Sequence, residues 1–223
     1  MWLKTMWMVL RKDALLELRR RETLVSMAAF GVLSLLLYNF ALPLDGDQAR
    51  NLAPGLLWVS VTFTAMLGLG KAFALDRQND VLDAMVASPA PKPAIFLGKL
   101  IANLLFIGLI EVLMMPLFAA FFPLAKDAQW GGVVGVLALG TFGMATLGTL
   151  FAAMTVSLRT REVIFPLLLL PLMVPVMISV AHALAGLLGA DDSNSGAWVR
   201  LLVVADILYL VASLWVFDFL VED

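Results

Sequence analysis

Six apolar runs, each long enough to cross a bilayer, dominate this chain and leave it few architectures. A spanning helix needs about 20 mostly apolar residues. The runs are Thr23 to Leu42, Leu52 to Leu75, Ala94 to about Leu124, Gly131 to Leu158, Val163 to about Leu188, and Val199 to Val221. Polar or proline-rich breaks separate them, including Asp45-Gly46-Asp47, Asp76-Arg77-Gln78-Asn79-Asp80 and Asp191-Asp192-Ser193-Asn194. No break is long enough for a soluble domain. The expected fold is an all-α polytopic membrane protein with one transmembrane domain over residues 1–223.

Composition closes off the other classes. Of 223 residues, 62% are hydrophobic and 14% charged, with mean hydropathy +0.96. Soluble chains run about 45–50% apolar and about 25% charged, so a water-soluble enzyme is excluded. The absence of cysteine removes disulfides, thiolate metal sites and cysteine nucleophiles. A single histidine, His182, rules out a poly-His metal site within this chain. A phosphate-binding loop needs Gly, four residues, then Gly-Lys-Ser/Thr. Gly70-Lys71 and Gly98-Lys99 are preceded at that spacing by Ala65 and Pro93 and followed by Ala72 and Leu100, so both fail. The chain is expected to be no enzyme, to bind no cofactor alone, and to have the lipid bilayer rather than nucleic acid as its surroundings.

A net charge of −2 hides a strong bias. Twelve Lys and Arg residues lie before span one, between spans two and three, and after span four, among them Lys4, Arg11, Lys12, Lys71, Arg77, Lys99, Arg159 and Arg161. Only Arg50, Lys126 and Arg200 lie on the other side. The excess of positive charge marks the cytoplasmic side, which puts both termini there. The first 21 residues place Leu3, Met6, Trp7, Leu10, Ala14 and Leu18 near one helical face and Lys4, Arg11, Lys12 and Arg19 near another. Such a basic amphipathic helix suits the membrane interface. The plainer alternative is a helical extension of span one. With no cleavage-type site after it, span one reads as a retained anchor.

Residues 76–93 form the most informative break. Val81, Leu82, Met85 and Val86 recur at helical spacing, while Asp76, Asp80 and Asp83 share the opposite face. Ser88-Pro89 stops this helix, and Pro91 and Pro93 stiffen the link to span three. A short amphipathic helix at this level either presses into a partner's groove or lies on lipid headgroups.

Here the chain resembles a known family. Leu52-Ala53-Pro54-Gly55-Leu56-Leu57-Trp58-Val59, the stretch Ala72-Phe73-Ala74-Leu75-Asp76-Arg77 through Leu82, Ser88-Pro89, and Ala94-Ile95-Phe96-Leu97-Gly98-Lys99 resemble the haem exporter protein B (CcmB) family of cytochrome c maturation. The specific likeness covers Leu52 to Asn103, and the six-span layout agrees over the whole chain. Where the family often has an acidic-Gly step, this chain has Asn79-Asp80. The resemblance implies a permease subunit of an ABC-type complex in the bacterial inner membrane. Its segment between spans two and three would be a coupling helix that docks on the ATP-binding subunit. On this chain that role falls to Asp76, Arg77, Asp80, Leu82, Asp83, Met85, Ser88 and Pro89. The implied partners are the ATPase CcmA, the membrane proteins CcmC and CcmD, and the haem chaperone CcmE, with possible self-association. ATP would bind the partner subunit, and haem would be handled by the complex.

Ionisable groups within spans are costly and therefore candidates for function. Glu111 lies midway along span three, as a cavity-lining carboxylate or a protonated acid bonded within the bundle. Asp206 lies in span six, where pairing with Arg200 is the simple account. Asp218 lies near the inner end of that span. Asn103 is expected to bond another helix. His182 has no second haem ligand beside it in the sequence. Pro166, Pro171 and Pro175 predict a bent fifth span, and six glycines from Gly131 to Gly148 predict close packing of the fourth. The leading reading is the permease subunit. The alternatives are a proton-coupled transporter using Glu111 and Asp206, or a membrane scaffold that moves nothing.

Overall fold

The computed structural model describes residues 2–41, 46–73, 76–77, 90–122, 128–190 and 194–220, and they form seven helices with no strand among them. These are α1 (Trp2–Arg20), α2 (Glu22–Ala41), α3 (Gly46–Leu69), α4 (Lys92–Phe121), α5 (Trp130–Thr155), α6 (Arg161–Leu187) and α7 (Ser195–Leu220). The last six are long and apolar enough to cross a membrane. They alternate in direction, so the starts of α2, α4 and α6 share one end of the bundle with the end of α3. At the opposite end Asn39 of α2 donates to the Phe121 carbonyl closing α4 at 3.0 Å. There the Gln129 amide before α5 also donates to the Leu187 carbonyl closing α6.

The second span is displaced from its sequence expectation. It was expected over Leu52–Leu75, but α3 runs from Gly46 to Leu69. After Leu69 the chain tightens into i to i+3 turns, with Lys71 bonded to the Gly68 carbonyl and Ala72 to that of Leu69. The Ala72 carbonyl is taken by the Lys99 ammonium at 2.8 Å. A tertiary contact thus holds the turn that follows the helix. The other five spans fall within a few residues of expectation.

α1 and α2 are separate helices, not one extended rod. Arg21 between them has φ of 56°, the left-handed conformation, and its N–H closes on the Glu17 carbonyl. The Glu17 carboxylate then caps α2 by accepting the Leu24 N–H at 2.9 Å, satisfying a donor that a helix start leaves free. Past this corner α1 packs chiefly along α4. The contact is close because Gly98 has no side chain. A Cβ there would meet the Met6 carbonyl and the Val9 Cβ, each at 2.8 Å.

α5 is the axis of the bundle. In its apolar window 72% of residues are buried, against 17% in α2 and α7. Its glycines explain how so many helices approach it. Trp58 of α3 and Val180 of α6 pack where a Cβ on Gly140 would stand, and Leu69 of α3 packs at Gly148. Small residues let helix backbones come together where lipid supplies no hydrophobic drive. α6 remains one helix through Pro166, Pro171 and Pro175. Beside these prolines, the Ser179 hydroxyl bonds the Pro175 carbonyl and Tyr209 of α7 donates to the Leu172 carbonyl, both at 2.7 Å.

Candidate functional site

At the end of the bundle where α3 stops and α4 starts, four charges meet. Lys99, two turns into α4, is 2% exposed, and Asp76 is 3% exposed. The Lys99 ammonium pairs with Asp76, and with Asp13 of α1 at 3.0 Å. Lys12 of α1 pairs with Asp76 as well, and with Asp13 at 3.1 Å. Lys99 also lies 4.7 Å from the centre of the Phe73 ring, within cation–π range. Two ammonium groups and two carboxylates thus neutralise one another, with Lys99 and Asp76 buried and Lys12 and Asp13 partly exposed. Burial pushes the Asp76 carboxyl up, but the Lys99 charge and the hydrogen bonds from Lys12 and Lys99 outweigh it and hold its pKa below the ordinary value. Asp76 is therefore ionised at neutral pH.

This quartet joins three elements distant in sequence: the amphipathic helix, the start of the 76–93 segment, and α4. The sequence singles out Asp76 by its spacing, whereas Lys99 stands there only as one more positive charge. A signal was present. Lys99, Asn103 and Ile107 recur at i, i+4, i+8 and so lie along one face of α4, a lysine in an otherwise apolar run four residues before an amide. Arg77, next to Asp76, is exposed. Asp80, Leu82, Asp83, Met85, Ser88 and Pro89 lie outside the described residues.

The intramembrane polar groups converge on α5 from different sides. Asn103 Nδ2 donates to Thr149 Oγ1 at 2.9 Å, the interhelical bond expected of it. Glu111 is buried on α4 and accepts a hydrogen bond from the Thr141 hydroxyl of α5. Asp206 of α7 is buried against Gly143, where a Cβ would stand 2.3 Å from Oδ1. Neither Asp206 oxygen has a hydrogen-bond partner among the described residues. The expected pairing of Asp206 with Arg200 does not form. Six residues along a helix turn through about 240°, so the two side chains leave α7 on different sides. Arg200 instead bonds the Gly196 carbonyl at 3.1 Å. Asp218 is exposed. His182 stacks on Trp198, with ring centroids 4.6 Å apart and planes 12° from parallel. Among the described residues no group of three or more His, Asp or Glu side chains is placed to hold a metal.

Comparison with known proteins places the chain. The model of the CcmB protein family matches residues 4–220. A protein of Pseudomonas aeruginosa named "Heme exporter protein B" is 33% identical over 193 residues, 86% of each chain. Its namesake in Rhodobacter capsulatus is 34% identical over 170 residues, 76% of this chain and 78% of that one. A third of the same name, in Paracoccus denitrificans, is 34% identical over 179 residues, 79% of this chain and 81% of its own. The match runs from α1 into α7 and so includes the charge quartet, the glycine-rich axis and the buried carboxylates, and with it the chain belongs to the CcmB family.

Proposed function

We propose that this protein is a membrane permease subunit of an ABC-type complex that acts in haem export during cytochrome c maturation. It works in the bacterial inner membrane with both termini and the quartet on the cytoplasmic side. Hydrolysis belongs to a partner ATPase of the CcmA type, and CcmC, CcmD and the chaperone CcmE complete the machine. The observation that carries this reading is the place of Asp76. The first residue of the segment that would dock on the ATPase is ion-paired to α1 and α4 together. A push on that segment reaches the amphipathic helix α1 and the third span α4 through an electrostatic joint, with Arg77 exposed beside it.

The test is charge reversal outside the joint, as Arg77→Glu with Asp80→Lys, in cells that depend on this subunit. Holocytochrome c is expected to fall about tenfold or more while the subunit still enters the membrane, since like-charge contact at an interface costs several kcal/mol. Unchanged cytochrome c formation, or an ATPase that stays fully coupled, would overturn the assignment.

One observation favours a second reading. Glu111 and Asp206 reach α5 two residues apart, at Thr141 and Gly143. Those positions lie on opposite faces of α5, so a proton-coupled transporter would use the two carboxylates as separate proton sites, and transport that persists without any ATPase yet vanishes in Glu111→Gln would establish it.

A further inference from the structure

Beside the quartet lies a cavity of about 240 Å³, half open, bounded by α1, α2, α3, α4 and α6. Its rim is charged and its floor is apolar. Arg20, Glu22, Lys71 and Arg161 line it at the level of the helix ends, and Leu24, Met27, Phe106 and Ile107 line it within the bundle. From Lys99 to Ile107, α4 descends about 12 Å, so the cavity reaches from the polar boundary into the depth of the apolar layer. That is the polarity profile of an amphiphile whose head lies at the membrane surface.

The charges on the rim are not equivalent. Asp13, Asp76 and Lys99 are satisfied within the quartet. Lys71 pairs with Glu22 at 3.3 Å. The Glu17 carboxylate accepts the Leu24 N–H. Arg20 and Arg161 remain without a carboxylate partner among the described residues, one at the end of α1 and the other at the start of α6. With every paired charge cancelled, two guanidinium groups and one carboxylate are left, a single net positive charge. A phosphodiester carries one negative charge.

We propose that this cavity binds an anionic phospholipid, its phosphodiester held between Arg20 and Arg161 and an acyl chain laid against Leu24, Met27 and Phe106. Guanidinium groups present paired N–H donors that match phosphate oxygens, and basic pockets between spanning helices take anionic headgroups. The lipid would brace the end of α1 against the start of α6, beside the joint assigned to coupling. Its placement in the cytoplasmic leaflet rests on the orientation proposed above; the binding itself does not.

The full-length chain in mild detergent is titrated with phosphatidylglycerol and, separately, with phosphatidylcholine of the same acyl chains, and bound lipid is read by native mass spectrometry. Phosphatidylglycerol is expected to be retained in preference. Replacing both arginines, as R20Q with R161Q, lowers its affinity about 30-fold. The pair R20K with R161K, which keeps the charge but loses the fork, falls between and separates lost binding from lost folding. Equal retention of the two lipids, or a glutamine pair that binds like the parent, overturns the proposal. So does displacement by millimolar inorganic phosphate, which would mark a free-anion site. Because the chain has no native cysteine, a single cysteine at Arg159 reports the side of the membrane with an impermeant thiol reagent. Labelling from outside would overturn the orientation and leave the lipid result standing.

Discussion

At the scale of single residues, Lys99 does most to hold distant parts of this protein together. It is almost wholly buried and meets two carboxylates, one carbonyl and one aromatic ring. Removing one member of a buried ionic group leaves an uncompensated charge and costs about 3–5 kcal/mol. Lys99→Met is therefore expected to lower the thermal unfolding midpoint of the detergent-solubilised protein sharply. Adding Asp76→Asn to it should restore part of the loss, because the stranded carboxylate goes with the lysine. Acid tests the same joint. The Asp76 carboxyl is held below its ordinary value of 3.8 in the folded protein. A depressed carboxyl contributes stability that is full above that value and is lost as pH falls through the folded one. Unfolding midpoints should thus keep this contribution down to about pH 4 and lose it only in stronger acid, and in Asp76→Asn this component of the acid loss should be missing. Asp76 was legible in the sequence as an acidic residue at a helical spacing, but its inward direction was not. Spacing assigns a residue to a face and does not say what that face meets.

At the scale of elements, two devices shape the bundle. The first is the corner at Arg21. Proline fixes φ near −65° and has no N–H, whereas this position has φ of 56° and donates to Glu17. Arg21→Pro is expected to break the corner and cost about 3 kcal/mol or more, while Arg21→Gly folds as well as the parent, as thermal unfolding of the two variants would show. The sequence left open whether residues 1–21 extend the first span. One left-handed residue decides it, and no hydrophobic pattern encodes a left-handed residue that is not glycine. The second device is the glycine face of α5. Gly140 touches Trp58 and Val180, each only 2.6 Å from where a Cβ would stand, but Gly135 of the same helix has nothing within 4 Å. Gly140→Ala is expected to destabilise by about 1–3 kcal/mol through overpacking. Gly135→Ala should be neutral or stabilising by up to about 1 kcal/mol through helix propensity. Thermal unfolding of the two variants side by side checks this contrast, and equal effects would refute the packing account of α5.

At the scale of the whole molecule, six spans and a preceding amphipathic helix were readable before any coordinates, because the bilayer imposes a fixed length and satisfies no backbone group. The basic bias of the loops was readable as well, and the structure brings Arg20, Lys71, Lys99 and Arg161 around one cavity at one end. Membership of the CcmB family was visible in the residues from Leu52 to Asn103 and is borne out by the match over residues 4–220. The helix that forms the axis was not readable in the same way. All six apolar runs look alike by hydropathy; the glycines of the fourth predicted its close packing, but that Trp58 and Leu69 of α3 and Val180 of α6 are what pack there, only the tertiary structure decided. The pairing of Asp206 with Arg200 failed for a related reason, since it took closeness in sequence for closeness in space across nearly two helical turns. The sequence by itself determined the number of spans, their lengths and the family, since each follows from hydropathy or residue order along the chain. Tertiary structure alone decided where the second span ends, that α1 turns off at Arg21, and that Lys12, Asp13, Asp76 and Lys99 become one neutral cluster around the buried Asp76 and Lys99. Those outcomes depend on which faces are brought together across 64 residues of chain between Lys12 and Asp76, and local pattern carries no information about that distance.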